Sequence, residues 1–383
     1  MSTLRVDAIR HNSAPSDAIT THSDGTASAK IIDVGGGPLS NRNLIINGAM
    51  NVAQRSPNVA VNIPGGKTVT DVDRFGQWTK TADGNWKSGQ QVSDAPADFQ
   101  FSRKITSLAA NTIETGTYHT VRYAVEGYDA AQLNCGLSSA KTVTLSFYVK
   151  SSLTGTFGLN FTNGANNRSY PTTYTISNPN DWERKTITVT LDTSGTWLKT
   201  NGVGLEINWH LAIGSSYSTS TLNQWQDHWR FPSSATDILA TNGATWQLTG
   251  VQLEVGNIAT SFEHRSFADE HTRCQRYYEK SYPYTVVPGA ASYFSSCYTM
   301  RDGTASSVVR YYPVNYKVTK RASPDITLYN PSTGASGGCR LDSGSYSAAP
   351  SSPESTRMMV YSDTGSPPSH YGIFFHYTLD AEM

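Results

Sequence analysis

The stretch Val143-Thr144-Leu145-Ser146-Phe147-Tyr148-Val149 decides the fold class. Val143, Leu145, Phe147 and Val149 take every second place, and more polar groups fill the rest. A period of two buries one face of a strand and leaves the other wet. The same period runs through Ile187, Val189 and Leu191, and through Leu205, Ile207, Trp209, Leu211 and Ile213. It returns at Leu248, Val251, Leu253 and Val255, where Gly250 interrupts the alternation and predicts a bulge. Asp83-Gly84, Asn163-Gly164, Asn201-Gly202 and Asn242-Gly243 punctuate these runs. Such pairs tolerate the positive φ of tight turns. Many short strands at this spacing predict a mainly β chain, with a jelly-roll β-sandwich over residues 41–265.

The chain of 383 residues is long enough for two or three domains. Lys and Arg number 30, as do Asp and Glu, so there is no net charge to draw a polyanion. That argues against a nucleic-acid partner, which needs a basic stripe. Charged residues make up only 16%, whereas Tyr numbers 21 and Trp 8, which points to β-structure with wet aromatic surface. No apolar run approaches the ~18 residues of a membrane span, so no membrane insertion is expected. Met1–Asp7 lacks the apolar core of about 7–15 residues of an export signal, so synthesis in a cytoplasm without a cleaved leader is expected. Cys135, Cys274, Cys297 and Cys339 are widely spaced with no C-x-x-C pair, and free thiols are expected.

Outward from the sandwich, residues 1–40 are polar and core-poor, with Gly35-Gly36-Gly37-Pro38 near their end. Such a segment cannot fold alone, so it is expected to be held by partner chains as an attachment and oligomerisation segment. After the sandwich, Ser266 reads as the cap of a connecting helix over 266–281, with Asp269 three residues on and Pro283 as its stop. Phe267, His271, Cys274 and Tyr278 share one face, which either packs on the sandwich or meets its copies. These four are the oligomerisation candidates. Strand patterns resume over Ser292–Arg301, Val308–Tyr312, Asp325–Tyr329, Arg357–Tyr361 and Gly372–Thr378. They read as a smaller C-terminal β-domain, 282–383, with Pro331–Pro353 as a long Ser/Gly-rich loop.

Sugar recognition needs flat rings beside amide and carboxylate groups. Trp225-Gln226-Asp227-His228-Trp229-Arg230 offers all of these between two strand runs, which makes Trp225, Asp227 and Trp229 glycan-binding candidates. The plainer alternative is that both Trp anchor a long loop. Tyr346, Tyr361 and Tyr371 form a second receptor-binding set, since tyrosine gives rigid amphipathic contact at low entropic cost. Enzyme motifs fare poorly. Gly334-Ala335-Ser336-Gly337-Gly338 matches a nucleophile elbow in letters but lacks the strand-to-helix setting. Asp94 with Asp98, or Asp181 with Glu183, would serve glycoside hydrolysis only at a separation sequence does not give. His264 and His271 are seven apart, and no metal site or cofactor is expected.

Asn43-Leu44-Ile45-Ile46-Asn47-Gly48-Ala49-Met50-Asn51-Val52-Ala53-Gln54-Arg55 resembles the opening of a widespread group of tailed-phage fibre-like proteins. Asp73-Arg74-Phe75 is similar to the group's next landmark, where Trp is commoner than Phe at the third place. Gly250–Gly256, Phe262–Ser266 and Cys274–Tyr278 resemble its central signature, Asp380-Ala381-Glu382 its ending, and Ser2–Asp7 the start of cyanophage virion fibre proteins. Residues 43–262 also resemble jelly-roll carbohydrate-binding modules. Some of these hold a structural calcium near the first strand, where this chain has Asn47, Ala49 and Asn51 in place of acids. The resemblance implies a homotrimeric tail fibre in the virion, assembled in the host cytoplasm and without catalysis. It would bind other virion proteins through residues 1–40 and a host surface glycan through its distal part. Competing readings are a capsid decoration, head fibre or tail adaptor protein without receptor role, and a polysaccharide depolymerase tailspike.

Overall fold

The computed structural model describes residues 41–63, 65–69, 71–80, 86–302, 310–341, 344–351, 353–362 and 371–383, with short stretches before residue 30. In that early part Ala8–Ile9, Ile19–Thr21 and Ala27–Ala29 form a three-stranded antiparallel sheet. The remainder of the expected attachment segment 1–40 lies outside the described residues.

The molecule is mainly β, as the alternation predicts. A six-stranded sheet runs in the order Glu183–Thr190, Thr142–Ser151, Thr245–Val255, Ser102–Ser107, Lys87–Val92, Val61–Asn62. A seven-stranded sheet packs on it in the order Gln226–Asp227, Arg168–Ile176, Gly155–Thr162, Val203–Ile213, Tyr118–Glu126, Phe75–Lys80, Gly66–Thr68. Val143, Leu145, Phe147 and Val149 are fully buried between the sheets with Leu205, Ile207, Trp209 and Leu211. Phe147 meets Trp209 edge-on, ring centroids 5.8 Å apart. The bulge predicted at Gly250 is present: its φ is +60°, and the register against Thr142–Ser151 slips between Ser146 and Tyr148.

Charge also enters the sandwich. Arg103 and Asp71 are fully buried, joined at 2.8 Å through both Nε and Nη2. Arg103 also donates to the Gly76 carbonyl and the Gln77 Oε1, so its buried charge is held by hydrogen bonds from all three nitrogens. Gly89 is required opposite, because a Cβ there would lie 2.5 Å from Asp71 Oδ2. Nearby, the buried Lys87 ammonium donates to Thr79 Oγ1 at 2.6 Å and to His119 Nδ1 at 3.1 Å. His119 is stacked on Trp86. Burial, then the Lys87 charge, holds the imidazole down to about 3.

The expected helix is shorter than its pattern. It spans Phe267–Gln275, with Ser266 Oγ accepting from the Asp269 N–H at 3.1 Å as the cap. Tyr278–Lys280 is instead a strand, paired with the end of Tyr371–Asp380. That long strand is the spine of the C-terminal domain and pairs also with Tyr298–Asp302, Asp325–Tyr329 and Gly338–Leu341. The Pro331–Pro353 stretch is not one loop: it carries Gly338–Leu341 and Gly344–Ser351, with Cys339, Leu341 and Ala348 in the domain core. Its Ser and Gly content hides strands whose order comes from pairing with the spine. Arg310–Asn315 and Arg357–Ser362 complete the sheet. Gly338 thus opens a strand, so the GxSxG letters lack the following helix of an elbow.

The two domains interlock through arginines. Arg74 is buried, pairs with Glu382, donates to the Ala124 carbonyl at 2.7 Å and lies 3.4 Å over the Tyr277 ring. Arg55 lies 3.8 Å over Tyr278 and reaches Asp380 at 2.9 Å, Asp73 at 3.6 Å and Glu382 at 3.7 Å. Arg276 and the Tyr277 hydroxyl both bond Glu126, while Arg321 donates to the carbonyls of Asn201, Ala381 and Glu382. Asn47 braces the same region: its side chain bonds Val52 in both directions and the Asp73 carbonyl.

Two outcomes are expected. Glu382→Ala leaves Arg74 buried without its carboxylate, which costs about 3–5 kcal/mol. Denaturant unfolding reads this directly, and a loss below about 1 kcal/mol would contradict the role given to the pair. The second concerns pH. His119 stays neutral in the fold but protonates when unfolded, so its stabilisation is present above about pH 6.5 and is lost as pH falls toward 3. Wild type should lose up to about 1.4 kcal/mol per pH unit more than His119→Gln across that window.

Candidate ligand-binding surface

The outer faces of the two sheets differ in what covers them. On the seven-stranded sheet, Trp229 and Phe231 of the 214–237 loop pack with Trp78, Tyr118 and Tyr217. The loop is tied down by Asn160 Nδ2 on the Arg230 carbonyl at 2.8 Å and by Ser169 Oγ on the His228 carbonyl at 2.6 Å. At the other end of that face, Arg122 bonds the Met383 carbonyl, and Glu126 takes Arg276 and Tyr277. One end is therefore closed by the chain's own loop and the other by its C-terminal domain.

The six-stranded sheet keeps an open recess of about 450 Å³ on its outer face. Thr142–Ser151 alternates, so burying Phe147 and Val149 turns Ser146, Tyr148 and Lys150 outward. Tyr148 lies beside Phe99, from the 93–101 loop, with centroids 5.5 Å apart. Phe99 meets Phe262 at 5.0 Å and His264 at 5.3 Å. Asp98 and Arg184 add a carboxylate and a guanidinium to the lining. Gly250 makes the floor possible, because a Cβ on it would stand 2.7 Å from Phe99 Cζ and 2.8 Å from Tyr148 Cδ2. Farther along the strand, Lys150 donates to both oxygens of Asp94 at 2.9 and 2.6 Å, and lies 5.5 Å from the Trp182 ring centroid. Partial burial pushes the Asp94 carboxyl up, but Lys150, Gln247 and Trp182 outweigh it and hold the group below the usual carboxylate range. Rings that present a flat apolar face beside hydrogen-bonding side chains suit a ligand with both C–H and O–H surface.

The sequence candidates fall elsewhere. Trp229 is buried, and Trp225 is half-buried with Nε1 donating to the Thr190 carbonyl at 2.8 Å and its ring edge-on to Trp197 at 5.4 Å. Both are loop anchors, because a long loop needs apolar weight to lie flat on a sheet. Asp227 is exposed and pairs with Arg168 at 2.6 Å, beside a shallow depression lined also by Asn167, Ser194 and His228. Tyr346 is half-buried against the C-terminal core. The side chains of Tyr361 and Tyr371 lie outside the described residues.

Of the oligomerisation set, Cys274 is fully buried against Ile46, Val52 and Tyr277, and Tyr278 is buried under Arg55. Neither is available to a second chain; the helix face packs on its own sandwich. Phe267 is exposed and stacked on His271 at 5.7 Å. Of the carboxylates weighed for hydrolysis, Asp94 is held by Lys150 and Glu183 by Lys185 at 2.5 Å. The sequence reading missed Phe99, Tyr148 and Arg184. Tyr148 carried a signal: it is an aromatic on the outward register of a strand, opposite a glycine bulge.

No family model matches the chain, and no curated protein does. Solved structures align with about half of it. The enzymatically active domain of tailspike protein 4 from bacteriophage CBA120 aligns at 14% identity and TM-score 0.27, covering 56% of this chain and 21% of that one. A CBM4 structure aligns at 13% and 0.28, covering 55% and 97%. A family 11 carbohydrate-binding module from Clostridium thermocellum, in complex with a mixed-linked tetrasaccharide, aligns at 12% and 0.27, covering 52% and 99%. At this distance none of them assigns a ligand to this chain.

Gly250→Ala tests the recess itself. The new Cβ must displace Phe99 or Tyr148 at a strained positive φ, so a loss of about 1–3 kcal/mol with an altered near-ultraviolet ring signal is expected. An unchanged spectrum would show that the rings do not meet over Gly250.

Proposed function

We propose that this chain is a non-catalytic, glycan-binding structural protein, and that it serves a tailed phage as a homotrimeric fibre attaching the particle to a host surface glycan. The observation that carries glycan binding is the ring-lined recess on the six-stranded sheet, where Phe99, Tyr148 and Phe262 stand beside Asp98 and Arg184. Aromatic faces take sugar C–H surface, and the charged groups take hydroxyls. A shallow site of this kind binds weakly alone. Three copies on one particle, and many on a cell surface, raise avidity by orders of magnitude without new contacts. The virion setting is supported by the resemblance of residues 43–55, 73–75 and 250–278 to fibre-like proteins. A clamp between the sandwich and C-terminal domain suits a part that transmits load.

Binding to host-derived glycans tests the reading. Tyr148→Ala should weaken it by at least tenfold, as truncation of a central aromatic contact does. Trp225→Ala should lower stability and leave the affinity of the folded protein unchanged. Equal losses of affinity in both would move the site away from the recess. Gold labelling of intact particles against the 282–383 domain should mark the distal end of tail appendages, and label over the head would replace the receptor role by capsid decoration.

A further inference from the structure

The charges around the recess narrow the ligand class. Most described arginines face a carboxylate, as Arg42 does Glu254, Arg103 does Asp71 and Arg168 does Asp192 and Asp227. Arg184 does not. Its Nη2 donates to the Thr260 carbonyl at 2.6 Å and reaches Ser146 Oγ at 3.4 Å. Among the described residues no carboxylate lies within 4.0 Å of it. Those two contacts hold the guanidinium at the recess wall through one nitrogen and leave Nε and Nη1 with donors to spend. The adjacent Glu183 is turned to Lys185 and to the backbone N–H groups of Ser177 and Asn178. Lys150, two places along from Tyr148, is neutralised by Asp94.

We propose that the recess takes an anionic sugar, whose carboxylate or sulfate oxygens sit on Arg184 while its ring lies against Tyr148 and Phe99. This rests on the glycan-binding reading above. An anionic oxygen on the free Nε or Nη1 donors pairs charge with charge, which a neutral hydroxyl does not. Asp98, exposed in the same lining, accepts from the hydroxyls of the same sugar. The division is chemical: the anion goes to Arg184, the hydroxyls to Asp98, and the C–H face to the rings.

The test uses the full chain on an array of matched oligosaccharides: uronate-bearing and sulfated members, each beside its carboxyl-reduced or desulfated twin. Wild type should prefer the anionic member of a pair by about ten- to hundredfold, the worth of a charge-assisted contact, and less at high salt. Which of the two anionic groups shows the preference identifies the source. Arg184→Gln should erase the preference, and its unfolding midpoint checks that the exposed side chain was not needed for folding. Equal binding of twins by wild type, or a preference that survives Arg184→Gln, overturns the inference and leaves glycan binding standing. No binding to any member overturns both.

Discussion

The structure turns on desolvated charge that the sandwich, with Asp73 3.6 Å from Arg55, satisfies only in part. Arg74 and Arg55 leave the sandwich with their guanidinium groups buried, and their carboxylate partners Asp380 and Glu382 belong to the last strand of the other domain and its exit. A buried guanidinium without a counter-charge costs several kcal/mol, so the sandwich has a strong reason to hold the C-terminal domain in one orientation. The helix Phe267–Gln275 completes this arrangement. Cys274 and Tyr277 fill the space beneath it, and Arg276 closes on Glu126. Part of the resemblance motifs is thereby explained in physical terms. Asn47, Gln54, Arg55, Asp73, Arg74, Tyr277, Tyr278, Asp380 and Glu382 all meet at this junction. They specify how two domains sit together rather than what the molecule binds.

Much of the architecture was legible because it depends on local rules. Period-two alternation marked Thr142–Ser151 and Val203–Ile213, a glycine marked the bulge, and Ser266 marked the helix start. The same rules failed where pairing comes from afar. Gly338–Leu341 and Gly344–Ser351 read as loop, because their order comes from neighbouring strands and not from their own composition. Tyr278 read as helix because the 3.6-residue period continues one step past the point where the chain turns to pair with Asp380. The recess was hidden for a related reason. Phe99, Tyr148, Arg184 and Phe262 come from four separate stretches, and none stands out until the sheet aligns them.

The conspicuous tryptophans are the converse case. Trp225 and Trp229 sit in a polar, ring-rich hexapeptide that looks like a sugar platform. In the fold, the length of that loop decides their role: twenty-odd residues lying over a sheet require apolar anchors, and these are the anchors. Trp229 covers one end of the outer face of the seven-stranded sheet, Trp225 packs at the edge of the core, and the bulge and aromatic cluster of the six-stranded sheet stay open.

The sequence separation of the junction sets a schedule for the ribosome. Arg74 and Glu382 lie 308 positions apart, and Arg55 and Asp380 lie 325 apart. During translation the sandwich strands emerge long before those carboxylates do. Through that interval a nascent sandwich carries guanidinium groups that water must still solvate, so its clamp region stays hydrated and loosely packed. Emergence of Asp380 and Glu382 is therefore also the event that dries this surface, and a chain that stops short of them keeps it wet and charged.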